Sequence, residues 1–288
     1  VTGRQLPAHI AAALAGNTAD SAGQAWAGRD LSGPDNPLHA FDDDDGTAEP
    51  ALAAAVAGLL GAPDRSVDQP GPRERAVFTA LTTARVFIPI VARLAQPGEG
   101  VSGVQSDKEA EMALVTLTAP DGRRALPVFS STRALERWHP DARPVAAYAA
   151  RAALAAAAED AELMVLDPGA DLTVVVRRPA VWALARQIRW TPSYEDPALA
   201  ALVETAARGE QDVLAVALRP AAGVLTRTAD GTIASGGGPG PELRMDLQLR
   251  GGLSPQEVRD AVASFRGKLL GLTDFVERVD SLDIKLTR

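Results

Sequence analysis

Few side chains in this chain of 288 residues could do chemistry, and their spacing restricts what that chemistry could be. There are three histidines, His9, His39 and His139, and no cysteine. Without thiols there can be no disulfide, no thiolate nucleophile and no cysteine-ligated iron–sulfur or zinc site. His139 follows Trp138 and lies near Glu136 and Asp141. A general base needs an orienting carboxylate and a substrate pocket, whereas a basic side chain at a helix end is already explained by the helix dipole. His139 is therefore read as structural. Ser130-Ser131 stands at a strand-to-helix turn but lacks the flanking glycines of a nucleophile elbow, so it reads as a helix cap.

Carboxylates and guanidiniums remain. The run Phe41-Asp42-Asp43-Asp44-Asp45-Gly46 is the most conspicuous acidic cluster. Aligned as a calcium loop on Gly46, it puts Phe41 at the first ligand position and Leu52 where the closing Glu belongs, so the match fails. A solvated acidic turn ahead of a helix is the favoured reading. Asp167 ends an apolar strand, where open α/β sheets often place functional residues, although Asp167-Pro168-Gly169 is also a plain turn sequence. Arg177-Arg178 follows closely and could meet an anion or simply mark a helix entrance. The candidate binding residues are thus Asp44, Asp45, Asp167, Arg177 and Arg178. No catalytic residue, metal ligand or cofactor is assigned. Gly236-Gly237-Gly238-Pro239-Gly240 lacks the Lys-Ser/Thr of a phosphate loop and leads into a strand, so it reads as a flexible hairpin connection.

Composition sets the frame for these residues. Hydrophobic content of 46% and charged content of 23% are those of a globular protein. Aromatic residues make up only 4%, so the core must be built from Ala, Val and Leu. A net charge of −8 argues against broad nucleic-acid binding. No run reaches the ~20 apolar residues of a membrane helix, and no basic-flanked apolar leader is present. The expectation is a cytoplasmic protein that engages no membrane.

Periodicity supplies the elements. Residues 1–40 are Gly-, Ala-, Ser- and Pro-rich and are expected to form a mobile arm. Helices are expected over about Pro50–Leu60 and Arg73–Thr83, then a strand over Arg85–Arg93 whose Pro89 suggests a sheet edge or a bulge. Met112–Thr118 reads as one strand, apolar on both faces and therefore central in a covered sheet. On that reading, Leu114→Asp is expected to unfold the domain. Pro120-Asp121-Gly122 turns the chain into a second strand ending at Phe129. Further strands at Leu163–Leu166 and Leu172–Val176 precede a helix opening at Arg178-Pro179.

Residues 191–196 read as a linker. Beyond it, Asp196 caps a helix, strands are expected at Asp212–Arg219, Gly223–Arg227 and Leu243–Leu249, and Ser254-Pro255-Gln256-Glu257 is a capping box. Phe275–Leu286 is expected to close the chain as a strand. The reading is an α+β protein: an arm (1–40), a mixed α/β domain (41–190), a linker (191–196) and an αβββαβ domain (197–288).

Several stretches carry a family resemblance. They are Met112–Thr118, the run Asp121-Gly122-Arg123-Arg124-Ala125-Leu126-Pro127-Val128-Phe129-Ser130, then Leu135, Trp138, Arg143-Pro144-Val145, Leu166-Asp167-Pro168 and Arg177-Arg178-Pro179. With Asp44-Asp45-Gly46 as an opening motif, they resemble the SseB family over roughly residues 40–190. The C-terminal unit is similar to the second domain of such proteins. The resemblance implies a housekeeping role but no catalytic residues.

Three functions follow as expectations. The first is a non-catalytic module binding a protein or small-molecule partner. The second is an enzyme using Asp167 with Arg177 or Arg178. The third is a homo-oligomer formed through an exposed sheet edge at the Pro89 strand.

Overall fold

The computed structural model describes residues 41–60, 70–94 and 110–287. The arm expected at 1–40, with His9 and His39, and the connection expected at 96–108 lie outside the described residues. The chain divides into two compact units, Val1–Asp45 and Gly46–Arg288. The described part of the first is a short turn in which the Asp44 N–H donates to the Phe41 carbonyl at 3.1 Å.

The larger unit is α+β. Two helices lead, α1 (Pro50–Gly58) and α2 (Gly71–Leu81), each with proline in its first turn, where the missing N–H costs no helical bond. Strand β1 (Arg85–Leu94) follows, then β2 (Ala110–Leu114), β3 (Leu117–Thr118) and β4 (Arg124–Val128). Helix α3 (Thr132–Trp138) is capped by Ser131, whose hydroxyl accepts from the Ala134 N–H at 3.2 Å. The succession β5 (Arg143–Tyr148), α4 (Ala149–Ala158), β6 (Leu163–Leu166), β7 (Val174–Val176) and α5 (Arg178–Arg186) completes this half.

The stretch expected as one central strand is two edge strands. Residues Ala110–Leu114 pair with β1 in the sheet β2-β1-β5, while Leu117–Thr118 pair with β4 in the sheet β3-β4-β6-β7. Pro89 explains the break. Its carbonyl accepts from the Val115 N–H at 3.4 Å, but it has no N–H to return, so the ladder stops there. One residue pair further along β1, Phe87 and Phe129 exchange both backbone bonds at 2.8 Å and link the two sheets.

Pro89 thus lies in a central strand, opposite Pro144 on β5. Backbone groups of one residue point to one side, so Pro89 faces β2, and Pro144, in a non-bonded pair with it, faces away from β1. Neither proline interrupts the β1–β5 ladder, and the edge expected at Pro89 does not exist. Leu114 is half-buried at the end of an edge strand, so it does not carry the load expected of it. That role passes to β4, where Leu126 and Val128 are fully buried in the first core with Met164, Leu166 and Val181.

The second half contains α6 (Pro197–Arg208), β8 (Val213–Pro220), β9 (Thr226–Arg227), β10 (Ile233–Ala234), β11 (Leu243–Leu249), α7 (Pro255–Leu270), α8 (Thr273–Arg278) and β12 (Leu282–Thr287). The Asp196 carboxylate caps α6, and Ser254 with Glu257 forms the expected capping box on α7. The sheet order is β12-β11-β8, with β11 and β12 parallel across the helical crossover. The strand expected at Phe275–Leu286 begins instead as α8. Phe275 and Val279 are one helical turn apart and both enter the second core, and only from Leu282 does a strand form. No described helix is long and apolar enough to cross a membrane.

Between β8 and β11 the chain leaves the second sheet and packs on the first half. Its hairpin β9–β10 delivers Ala234 into the first core, and the Ser235 N–H donates to the Leu59 carbonyl at 2.9 Å.

Candidate functional site

That excursion explains where Arg177 goes. Residue 177 is the N-cap of α5, in an extended conformation that points it away from the helix. Its guanidinium is buried (4% exposed). One nitrogen, Nη2, donates to three carbonyls: Gly238 at 2.6 Å, Gly240 at 3.0 Å and Gly223 at 3.1 Å. Glu74 Oε1 lies 3.5 Å from Nη1 and Glu242 Oε2 lies 4.0 Å from Nε. Glu74 also accepts the Gly237 N–H at 3.0 Å and the Tyr194 hydroxyl at 2.6 Å.

The glycine run is therefore no flexible connection; residues 234–238 are buried. Gly237 adopts φ +68°, and a Cβ there would sit 2.6 Å from Val174 Cγ1. At Gly236, with φ +129°, it would sit 2.9 Å from both Glu74 Cγ and Leu59 Cδ2. Only residues without a Cβ let this backbone approach closely enough to present its carbonyls to Arg177. The Gly237 carbonyl in turn accepts the Val175 N–H at 2.8 Å, closing the edge of β7.

Electrostatics in this cluster are unusual. Burial pushes the Glu242 carboxyl up to about 7, although Arg177 and the Asp280 N–H, which donates to it at 2.9 Å, pull it down. Burial, then the Glu74 carboxylate, drives the Tyr194 hydroxyl far above its ordinary range, so it stays a proton donor. One guanidinium faces two carboxylates, and a proton on Glu242 balances the charge.

Arg178 is committed elsewhere. Its Nη2 donates to the carbonyls of Val276 (3.0 Å) and Val279 (2.9 Å) at the end of α8. Its Nη1 reaches Glu162 Oε2 at 3.4 Å, and the guanidinium lies 5.3 Å from the Trp182 ring centroid. Both arginines thus fasten the second half of the chain to the first.

Asp167 joins neither network. It adopts a left-handed conformation, φ +50°, after β6. Its Oδ1 accepts the Ser130 N–H at 2.8 Å, tying the ends of the parallel strands β4 and β6. Burial raises its carboxyl while the Ser130 bond opposes the rise. A turn role makes a definite prediction. Asp167→Ala should lower stability by about 1–3 kcal/mol, through an unpaired N–H and the left-handed backbone. Asp167→Asn, which keeps an acceptor and tolerates that backbone, should cost less than about 1 kcal/mol in urea denaturation. Loss of function in Asp167→Ala without loss of stability would overturn the turn role.

Asp44 closes the turn of the first unit and Asp45 follows it. Among the described residues no group of three or more His, Cys, Asp or Glu could hold a metal ion. His139 closes α3 as expected, its ring 5.8 Å from that of Trp138.

An open concave surface lies where no sequence motif points. A groove of about 900 Å³ runs between α2, the start of α4 and the end of α5. Arg75, Arg151 and Arg189 line it, with Tyr148, Ile188 and Trp190. Arg75 pairs with Glu195. The exposed side chains of Arg151 and Arg189 have no ion pair or hydrogen bond among the described residues. These cations come from three separate elements, so no local motif could reveal them. Only the basic character of each residue was readable.

Against known proteins, residues 65–183 match the family model described as the SseB protein N-terminal domain. No curated protein and no solved structure matches the chain. The matched span runs through α2, β4, Asp167, Arg177 and Arg178 and includes Arg75 and Arg151. Arg189, the glycine run and Glu242 fall beyond it.

Proposed function

We propose, from the match of residues 65–183 to the SseB protein N-terminal domain and from the groove, that this chain is a non-catalytic binding module of the cytoplasm. It holds an acidic partner, protein or metabolite, in the groove between α2, α4 and α5. The observation that carries this reading is the guanidiniums of Arg151 and Arg189, without ion pair or hydrogen bond among the described residues, in one concavity with Trp190 and the 53% exposed Ile188. Cationic rims beside apolar floors are how proteins select anionic ligands. Among the described residues the groove lining includes no histidine, carboxylate or lysine, so these offer no general base of that kind for the enzyme reading. Arg177 and Arg178, the arginines that reading needs, are bonded to backbone carbonyls. A chain without cysteine fits a reducing compartment, and its net charge of −8 disfavours nucleic acid as the partner.

The test compares the tagged full chain with Arg151→Glu/Arg189→Glu in affinity capture from native cytosol, metabolites being retained for mass spectrometry. Wild type should recover an acidic protein or metabolite that the double variant loses. Both side chains are exposed, so the melting temperature should stay constant. Recovery of the same set by both proteins would overturn the reading.

A further inference from the structure

Two guanidiniums alone would suit any anion, but the rest of the groove narrows the choice. Trp190 is held in place by Phe78, the ring centroids 5.4 Å apart, and Tyr148 is 48% exposed beside it. Planar faces of this kind accept a flat ring by stacking, a contact worth having only for an aromatic ligand. The hydroxyls of Thr79, Thr83 and Thr191 also line the groove and make no hydrogen bond among the described residues. They can donate to or accept from a polyhydroxylated group.

The walls exclude another class. They are helices α2, α4 and α5 with their ends, and of the edge strand β5 only its last residue, Tyr148, reaches the groove, so no length of strand edge is available to pair with an extended peptide. Recognition must come from side chains acting on a compact ligand, and the volume of about 900 Å³ lies within the range of small-molecule sites.

Resting on the groove as the binding site, we propose that the ligand is a nucleoside phosphate, its base against Tyr148 and Trp190 and its phosphates on Arg151 and Arg189. Guanidinium forks match phosphate oxygens in a bidentate way. The sugar hydroxyls fall to the threonines. Arg75, already neutralised by Glu195, is a third cation that a longer phosphate chain can recruit.

Isothermal titration of the full chain with the four ribonucleoside diphosphates, each nucleoside alone and inorganic phosphate tests this. At least one diphosphate should bind, at least tenfold more tightly than its nucleoside or phosphate. Arg151→Glu/Arg189→Glu should weaken it at least tenfold, and Tyr148→Ala should weaken the diphosphate while leaving phosphate binding unchanged. Absence of binding by all four diphosphates at millimolar concentration would overturn the proposal, as would inorganic phosphate matching them or an unchanged affinity in the double variant. If the double variant loses the captured cytosolic partner but no diphosphate binds wild type, the groove stands and the nucleotide falls.

Discussion

Replacing Arg177 by alanine should destabilise the protein by about 3–5 kcal/mol, the largest effect expected of any polar substitution here. Removing the guanidinium leaves the carbonyls of Gly223, Gly238 and Gly240 without their shared donor and strands Glu74 and Glu242 in a buried site. The loss should appear in urea denaturation and as a fall of roughly 10 °C in melting temperature. Because the damage comes mostly from uncompensated carboxylates, a triple variant, Arg177→Met/Glu74→Gln/Glu242→Gln, should recover part of it. If Arg177→Ala melted like wild type, the guanidinium would not be what holds the glycine run against the first half. The contrast with Arg151 and Arg189 is built into the prediction, since those exposed arginines should leave stability unchanged.

Glu242→Gln should act in the opposite direction, and only above acid pH. The carboxyl is 3% exposed and its folded-state value is about 7, above the 4.5 of an ordinary glutamate. A group raised in the folded state binds its proton more tightly there. Its stabilisation is therefore complete below pH 4.5 and is lost as pH rises through about 7. The full swing is about 3 kcal/mol. Asp280 adds to the rise by its charge, while Arg177, the Asp280 N–H and Ser193 oppose it. Glutamine keeps an acceptor for that N–H and has no charge to bury. At pH 8 the variant should be more stable than wild type, and near pH 4.5 the two should converge. Parallel stability profiles from pH 5 to 8 would show that Glu242 does not titrate in this window. Asp121 and Glu257, both held below the usual carboxylate range, act in the other window, where their stabilisation is lost as pH falls.

Much of the fold was legible because its signals are local. Ser131, Asp196 and the Ser254–Glu257 box cap the helices that their sequence positions indicate. Strand β6 and the Asp167-Pro168-Gly169 turn also stand where alternation and turn chemistry put them. Misreadings came where one pattern served two structures. Met112–Thr118 alternates like a single strand, but the partner's missing Pro89 donor divides it. Phe275 and Val279 fit a strand or one helical turn, and the core that they fill decides for the helix. The glycine run looked flexible because composition shows the lack of side chains and not the Val174 and Glu74 atoms that require it.

The sequence by itself determined the α+β class, the helix ends, the SseB-like stretch and the absence of thiol chemistry, because each follows from composition or from residues a turn or two apart. Tertiary structure alone decided the roles of the charged groups. Glu74 and Arg177 are 103 residues apart, and Arg177 and Gly238 are 61 apart. Whether an arginine is buried against carbonyls, as Arg177 is, or left open in a groove, as Arg151 and Arg189 are, depends on which distant segments fold over it. Solvation and counter-charge are properties of that surrounding space, and they decide whether a guanidinium fastens the fold or receives a ligand.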